Sequence, residues 1–336
     1  MTPTLRKSRI ISAGLYAPER VVKNQYFNEL YKKDVDSFLR AQRNIFERHY
    51  MATEQATSDL IVPAAMNALK AANLTAEDLD LLIVATDTPD YISPSTASVV
   101  QFKLGAKNAG SFDINTACAG FVTALDVGNK FIAADPRFNT VMVVGAYGMS
   151  KFLNFDDYKI ATLFADGASA AILQVSPDTD GILASEFYTD GQYHDYMGLY
   201  AGGTHMPLSQ EVLDKKAQLL NFAKRIPNET NGIHWPRLTN KLLERIGKKA
   251  GDINHFFITQ LNIGSINESL DRLGQPHSKS HNIMDRYGYT GSAAVGMCIA
   301  DAVAVRKLKK GDLCILLGSG GGMSMAALAM TWGYDT

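Results

Sequence analysis

Apolar runs of strand length alternate along this chain with segments whose apolar residues recur at helical spacing. Residues 9–17 read as a strand stopped by Pro18, and 58–72 as a helix with a cap-like Ser58-Asp59 start. The run 79–86 (LDLLIVAT) is continuously apolar, which predicts a strand covered on both faces. A helix over 94–104 follows, then a short approach strand entering the apolar-periodic segment 122–134, then a second buried strand at 140–145 and a Gly/Ala-rich segment, 163–175, that turns strand-like. Residues 26–47 are charged and partly helical, and with Arg40, Arg43 and Arg48 the segment reads as a solvated surface.

The second half repeats this order. A helix over 238–250 leads to 253–259 (INHFFIT), which answers 79–86 after the same lead of helix, turn and acidic residue. The small-residue helix 291–305 is placed like the one after Cys118, and 313–324 resembles 141–150. Four elements recurring in order imply a duplication, and strand–helix alternation with buried strands predicts an α/β protein of two similar, packed halves, each with a mostly parallel sheet. Residues 1–180 form the first half and 237–336 the second. Between them, 181–236 breaks the pattern with glycines, His194, His205 and a helix-like run over 210–225, and reads as a cap over a site.

Composition narrows the function. Thirty-three Lys plus Arg against 34 Asp plus Glu, with no basic stripe, argue against nucleic acid as a partner. Three cysteines without metal-ligand spacing suggest a reducing compartment, and no apolar run is long enough for a signal peptide or a membrane span, so a cytoplasmic protein is expected. No metal site is visible, and Gly318-Ser-Gly-Gly-Gly322 lacks the capped helix and downstream acid of a dinucleotide fingerprint, so no cofactor is expected.

The chemistry centres on Asp113-Ile-Asn-Thr-Ala-Cys-Ala-Gly-Phe121. Cys118 falls where a helix begins, facing unpaired N–H groups that favour thiolate over thiol, and Ala117, Ala119 and Gly120 leave room for an approaching group. A nucleophile and a plain buried cysteine are both open on the local sequence.

These residues, with Pro94-Ser-Thr-Ala, Leu163-Phe-Ala-Asp-Gly-Ala168, Asp285-Arg-Tyr-Gly-Tyr-Thr-Gly-Ser292 and Gly320-Gly-Gly322, resemble the ketoacyl synthase III-like (β-ketoacyl-ACP synthase III) branch of the thiolase superfamily from about residue 10 onward. The resemblance implies a thiolase-like fold of α-β-α-β-α layers. It also implies transfer of an acyl group from a thioester, on acyl carrier protein or coenzyme A, onto Cys118 and then to a second acceptor, in fatty-acid-related or polyketide and specialised-metabolite biosynthesis. The backbone N–H groups of Cys118, Gly321 and Gly322 become the oxyanion-hole candidates, and Ile92, Phe164, His205 and Met323 the substrate-lining ones, Ile92 reaching a partner's pocket in a homodimer.

The departures are as informative. Gln260 stands where the family carries its histidine, and Tyr289 where it carries its asparagine. Both side chains can donate a hydrogen bond, but Gln cannot act as a base near pH 7. Losing a positioned base or oxyanion donor costs on the order of 10²–10⁴ in rate, so the resemblance favours non-decarboxylative transfer. A decarboxylating condensing enzyme with its base relocated to His194, His205 or His281, and a non-catalytic partner subunit, are the alternatives. Phe38, Gln42 and Tyr158 fall where the family binds coenzyme A through Trp and Arg, which favours carrier-bound donors. Ser265 replaces a docking Arg, leaving Lys215, Lys216, Arg225 or Arg237 to receive the carrier.

Overall fold

The chain places its strands as β1 (Ser8–Tyr16), β2 (Arg20–Lys23), β3 (Glu47–Tyr50), β4 (Leu81–Ala85), β5 (Gly110–Ile114), β6 (Thr140–Gly148) and β7 (Asp166–Val175) in the first half. The second half carries β8 (Gly181–Thr189), β9 (His255–Ile258), β10 (Leu313–Gly320) and β11 (Ser324–Thr331). This is a computed structural model, and it describes residues 6–178 and 180–336.

Two large sheets result, ordered β1-β7-β6-β4-β5 and β8-β11-β10-β9, beside a two-stranded antiparallel sheet of β2 and β3. The duplication is therefore one of topology: β1, β7, β6 and β4 have counterparts in β8, β11, β10 and β9. Where the first sheet adds β5, the second makes only a single parallel bridge, Phe256 to Ser280. The sheets are mixed, not mostly parallel: β6-β4-β5 and β9-β10 run parallel, while β7 and β11 return antiparallel beside them. Apolar runs do not reveal strand direction, because strands covered on both faces are continuously apolar in either orientation.

The helices sort by burial. Helix Thr57–Ala72 covers the outer face of the first sheet, and Thr230–Ile246 that of the second. Helices Gly120–Ala134 and Ala294–Ala304 lie between the sheets, and every position from Ala294 to Ala302 is buried, as expected of a helix apolar on all sides. The order is α-β-α-β-α. The middle layer demands small residues: a Cβ on Gly145 of β6 would lie 2.4 Å from the Ser292 carbonyl oxygen. Gly145→Ala is therefore expected to destabilise the protein by about 1–3 kcal/mol, read as a lower urea midpoint.

Three expectations change. The ends of 181–236 belong to the second half, since Gly181–Thr189 is the strand β8 and the outer helix already starts at Thr230. Within the remaining cap the α-helix is confined to Gln210–Asp214, followed by turns, and a single 3-10 turn spans Gly191–Tyr193. Arg48 is not solvated: on β3 it is fully buried, donating to the Val22 and Thr162 carbonyls and to Asn24 Oδ1, with its guanidinium over the Phe27 ring. Burial pulls it down to about 10.

Candidate active site

Cys118 follows β5 through a tight turn. Ala117 adopts a left-handed φ of 47°, its N–H held by Asn115 Oδ1 at 2.9 Å, and Ala119 N–H bonds Thr116 O at 3.1 Å. A left-handed non-glycine residue is uncommon and marks a constrained turn. The helix Gly120–Ala134 starts two residues later, so Cys118 does sit at a helix entrance.

From the second half, Gly320 at the end of β10 presses on this turn. A Cβ there would fall 2.4 Å from the Cys118 nitrogen and 2.8 Å from Ala117 Cβ, so only glycine permits the approach. The sulfur opens onto two cavities. One, of about 320 Å³, is lined by Phe164, Thr259, Tyr289, Ser319 and Met323, with Arg43, Lys224 and Arg225 adding positive charge. The other, of about 180 Å³, holds Asp87, Asn115, Tyr147, Phe164 and Gly321.

Tyr289 lies beside Cys118, where its hydroxyl favours the charged sulfur, and burial holds that phenol well above its ordinary range, so it stays protonated. Burial also pushes the Cys118 thiol up, and the Asp87 carboxylate adds to this. Burial and the Asp87 carboxylate thus oppose the thiolate that the helix entrance favours, and no cation is among the sulfur's charge neighbours.

Gln260 is displaced from the site. Its Nε2 donates to Ile258 O at 2.9 Å and Asn282 Oδ1 at 3.2 Å, and its Oε1 accepts from Ile283 N–H at 2.9 Å, so the amide is consumed in the body of the second half. The residue at this strand end that faces Cys118 is Thr259. Its hydroxyl accepts from Ser319 N–H at 2.9 Å. Phe164 and Met323 line the cavity as expected. His205 lines neither cavity and lies exposed, and Ile92 is 83% exposed on the surface and lines neither cavity. Gly321 reaches the second cavity, whereas Gly322, at a φ of 125°, reaches neither.

No histidine lines either cavity among the described residues. His281 is tied to Asp301 at 2.8 Å, and His194 is an exposed cap residue. Of the other surface candidates, Lys215 pairs with Glu211, Lys216 with Asp156, and Arg237 lies over Tyr188. Neither Phe38, Gln42 nor Tyr158 lines a cavity, while Ser265 does. The sequence reading missed Arg43 and Lys224 at the mouth, and Asp87. Asp87 was visible in principle as an acid at the carboxyl end of a fully buried strand, where ligands of open α/β sheets bind. No group of three or more metal-binding side chains occurs, and no helix is long and apolar enough to cross a membrane, among the described residues.

A duplicated five-layer fold, with a cysteine on the turn into its first central helix, is the thiolase-like fold. A family profile described as 3-Oxoacyl-[acyl-carrier-protein (ACP)] synthase III matches residues 112–191, and its C-terminal counterpart matches 243–332. The chain is 34% identical over 327 residues to the β-ketoacyl-[acyl-carrier-protein] synthase III of Clostridioides difficile (strain 630), covering 97% of this chain and 98% of that one. It is 35% identical to the protein of the same name from Clostridium perfringens (strain SM101 / Type A), covering 96% and 98%. The crystal structure of 3-oxoacyl-[acyl-carrier-protein] synthase III from Aquifex aeolicus VF5 superposes with a TM-score of 0.87 at 28% identity, over 97% of this chain and 100% of that one. The chain belongs to the β-ketoacyl-ACP synthase III family, whose members are acyl-transferring enzymes.

Proposed function

We propose that this protein is a β-ketoacyl-ACP synthase III-like acyltransferase that loads an acyl group from a thioester onto Cys118 and passes it to a second acceptor without decarboxylation. Its setting would be fatty-acid-related or polyketide and specialised-metabolite biosynthesis. The observation that carries the reading is that Cys118 opens on both cavities while neither is lined by a histidine. Exchange of a thiol with a thioester is nearly balanced in energy, so positioning and oxyanion donors suffice for loading. Decarboxylating a malonyl unit asks more, because the enolate needs positioned donors, and the Thr259 hydroxyl already donates to Leu317 O at 3.5 Å.

The cavities divide the substrate. The wider one, with Arg43, Lys224 and Arg225, suits the phosphate of a pantetheine arm, and an acyl carrier protein is the favoured bearer. The smaller one, with Tyr147, Met149, Leu199 and Leu220, suits the acyl chain. Backbone N–H groups beside Cys118 and Gly321 would receive the oxyanion. A homodimer in the cytoplasm fits the family, with the exposed Ile92 on the partner-facing surface.

Intact-protein mass after exposure to acyl thioesters tests loading; a chain gaining no acyl mass would instead be a non-catalytic partner subunit. The double variant Thr259→His, Tyr289→Asn is expected to raise malonyl-thioester decarboxylation by about 10²-fold or more. A wild type that decarboxylates as fast as the double variant would sink the non-decarboxylative reading.

A further inference from the structure

Asp87 is the sole carboxylate lining either cavity at Cys118 among the described residues. It follows β4 directly, on a backbone pinned from three directions. Thr86 N–H bonds Ile114 O of β5 at 3.2 Å, Thr88 Oγ1 accepts from Gly148 N–H of β6 at 2.8 Å, and Thr57 Oγ1 donates to Thr88 O at 2.6 Å. The carboxylate is therefore aimed by fixed structure. Its Oδ1 is nonetheless sealed from solvent with no hydrogen-bond partner. Buried acceptors are normally satisfied, so an orphaned carboxylate oxygen beside a nucleophile marks a place where a proton is to arrive.

We propose that Asp87 is the proton-transfer residue of this site, serving both half-reactions in the role an imidazole would otherwise fill. The inference rests on Cys118 taking up acyl groups. The other lining groups do not serve as acceptors. Tyr147 and Tyr289 are held protonated by burial, and Arg43, Lys224 and Arg225 are cations. The titratable groups that feel Asp87 are Cys118, Tyr147 and Tyr289, none of them positive. Burial raises the Asp87 carboxyl to about 6, close to the working range of a general base.

In the first half-reaction the Cys118 S–H proton passes to the Asp87 carboxylate as the new S–C bond forms. The donor's C–S bond breaks, and the departing thiolate takes the proton from Asp87. In the second, the acceptor's O–H, N–H or C–H proton passes to Asp87 as its bond to the acyl carbon forms. The Cys118 S–C bond breaks, and the Cys118 thiolate recovers the proton. Asp87 ends each cycle unchanged.

The test uses the full chain and hexanoyl-N-acetylcysteamine, with acyl mass on Cys118 followed against time and pH. Wild-type loading should fall about tenfold per pH unit below pH ~6, as the carboxyl becomes protonated. Asp87→Asn should lose this acidic limb and load about 10²–10⁴ more slowly at pH 7.5. Asp87→Glu should keep the limb and recover part of the rate. Alkylation of Cys118 by iodoacetamide follows the same S–H proton with no thioester to position, so Asp87→Asn should slow alkylation as well as loading. Loading by Asp87→Asn at or above the wild-type rate, with the acidic limb intact, overturns the proposal. So does slowed loading with alkylation at the wild-type rate, which would leave the side chain no part in taking the sulfur's proton. A wild type that takes up no acyl mass overturns the acyl-transfer reading, and Asp87 with it, whereas loading indifferent to Asp87→Asn overturns Asp87 alone.

Discussion

Cys118→Ala is expected to abolish acyl uptake and to lower transfer by a factor on the order of 10⁶, the scale of losing a nucleophile from a cooperating set. The sulfur is the one cysteine of the three that opens on both cavities; Cys298 and Cys314 are buried in the core between and beneath the sheets. The change should leave stability almost untouched, since alanines already flank the turn and its hydrogen bonds are made by backbone and Asn115. Intact mass after exposure to an acyl thioester is the measurement. An adduct that persists on Cys118→Ala would move the nucleophile elsewhere and dissolve the reading of the two cavities.

Arg48→Ala should produce the largest loss of stability, about 3–5 kcal/mol. Truncation would strand the Val22 and Thr162 carbonyls and Asn24 Oδ1, all in the interior, and would empty the space over Phe27. Folded proteins hold about 5–15 kcal/mol in reserve, so such a loss should be plain in a urea transition. A midpoint unchanged from wild type would mean that water replaces the guanidinium without cost.

The same residue shows where the sequence stops being legible. Its acceptors include the Thr162 carbonyl, 114 positions along the chain, and a local charge pattern carries no trace of so distant a partner. The strands and helices were readable because burial on both faces leaves continuous apolar runs such as Leu81–Ala85, and because small residues mark the middle helices. The place of Cys118 at a helix entrance was readable from its turn and the family blocks around it. Its opposing side chain was not: at the end of β9 the choice between Thr259 and Gln260 is a single step in register, and one step exchanges inward for outward. Only the Gln260 hydrogen bonds to Ile258, Asn282 and Ile283 decide it.

Gly320 meeting the Cys118 backbone gives the molecule a seam where one half supplies the cysteine and the other its opposing wall. Dense interiors pass displacements on with little loss. Substitutions deep in the shared middle layer, far from either cavity, can therefore retune the gap between sulfur and wall, and with it the size of group that fits there.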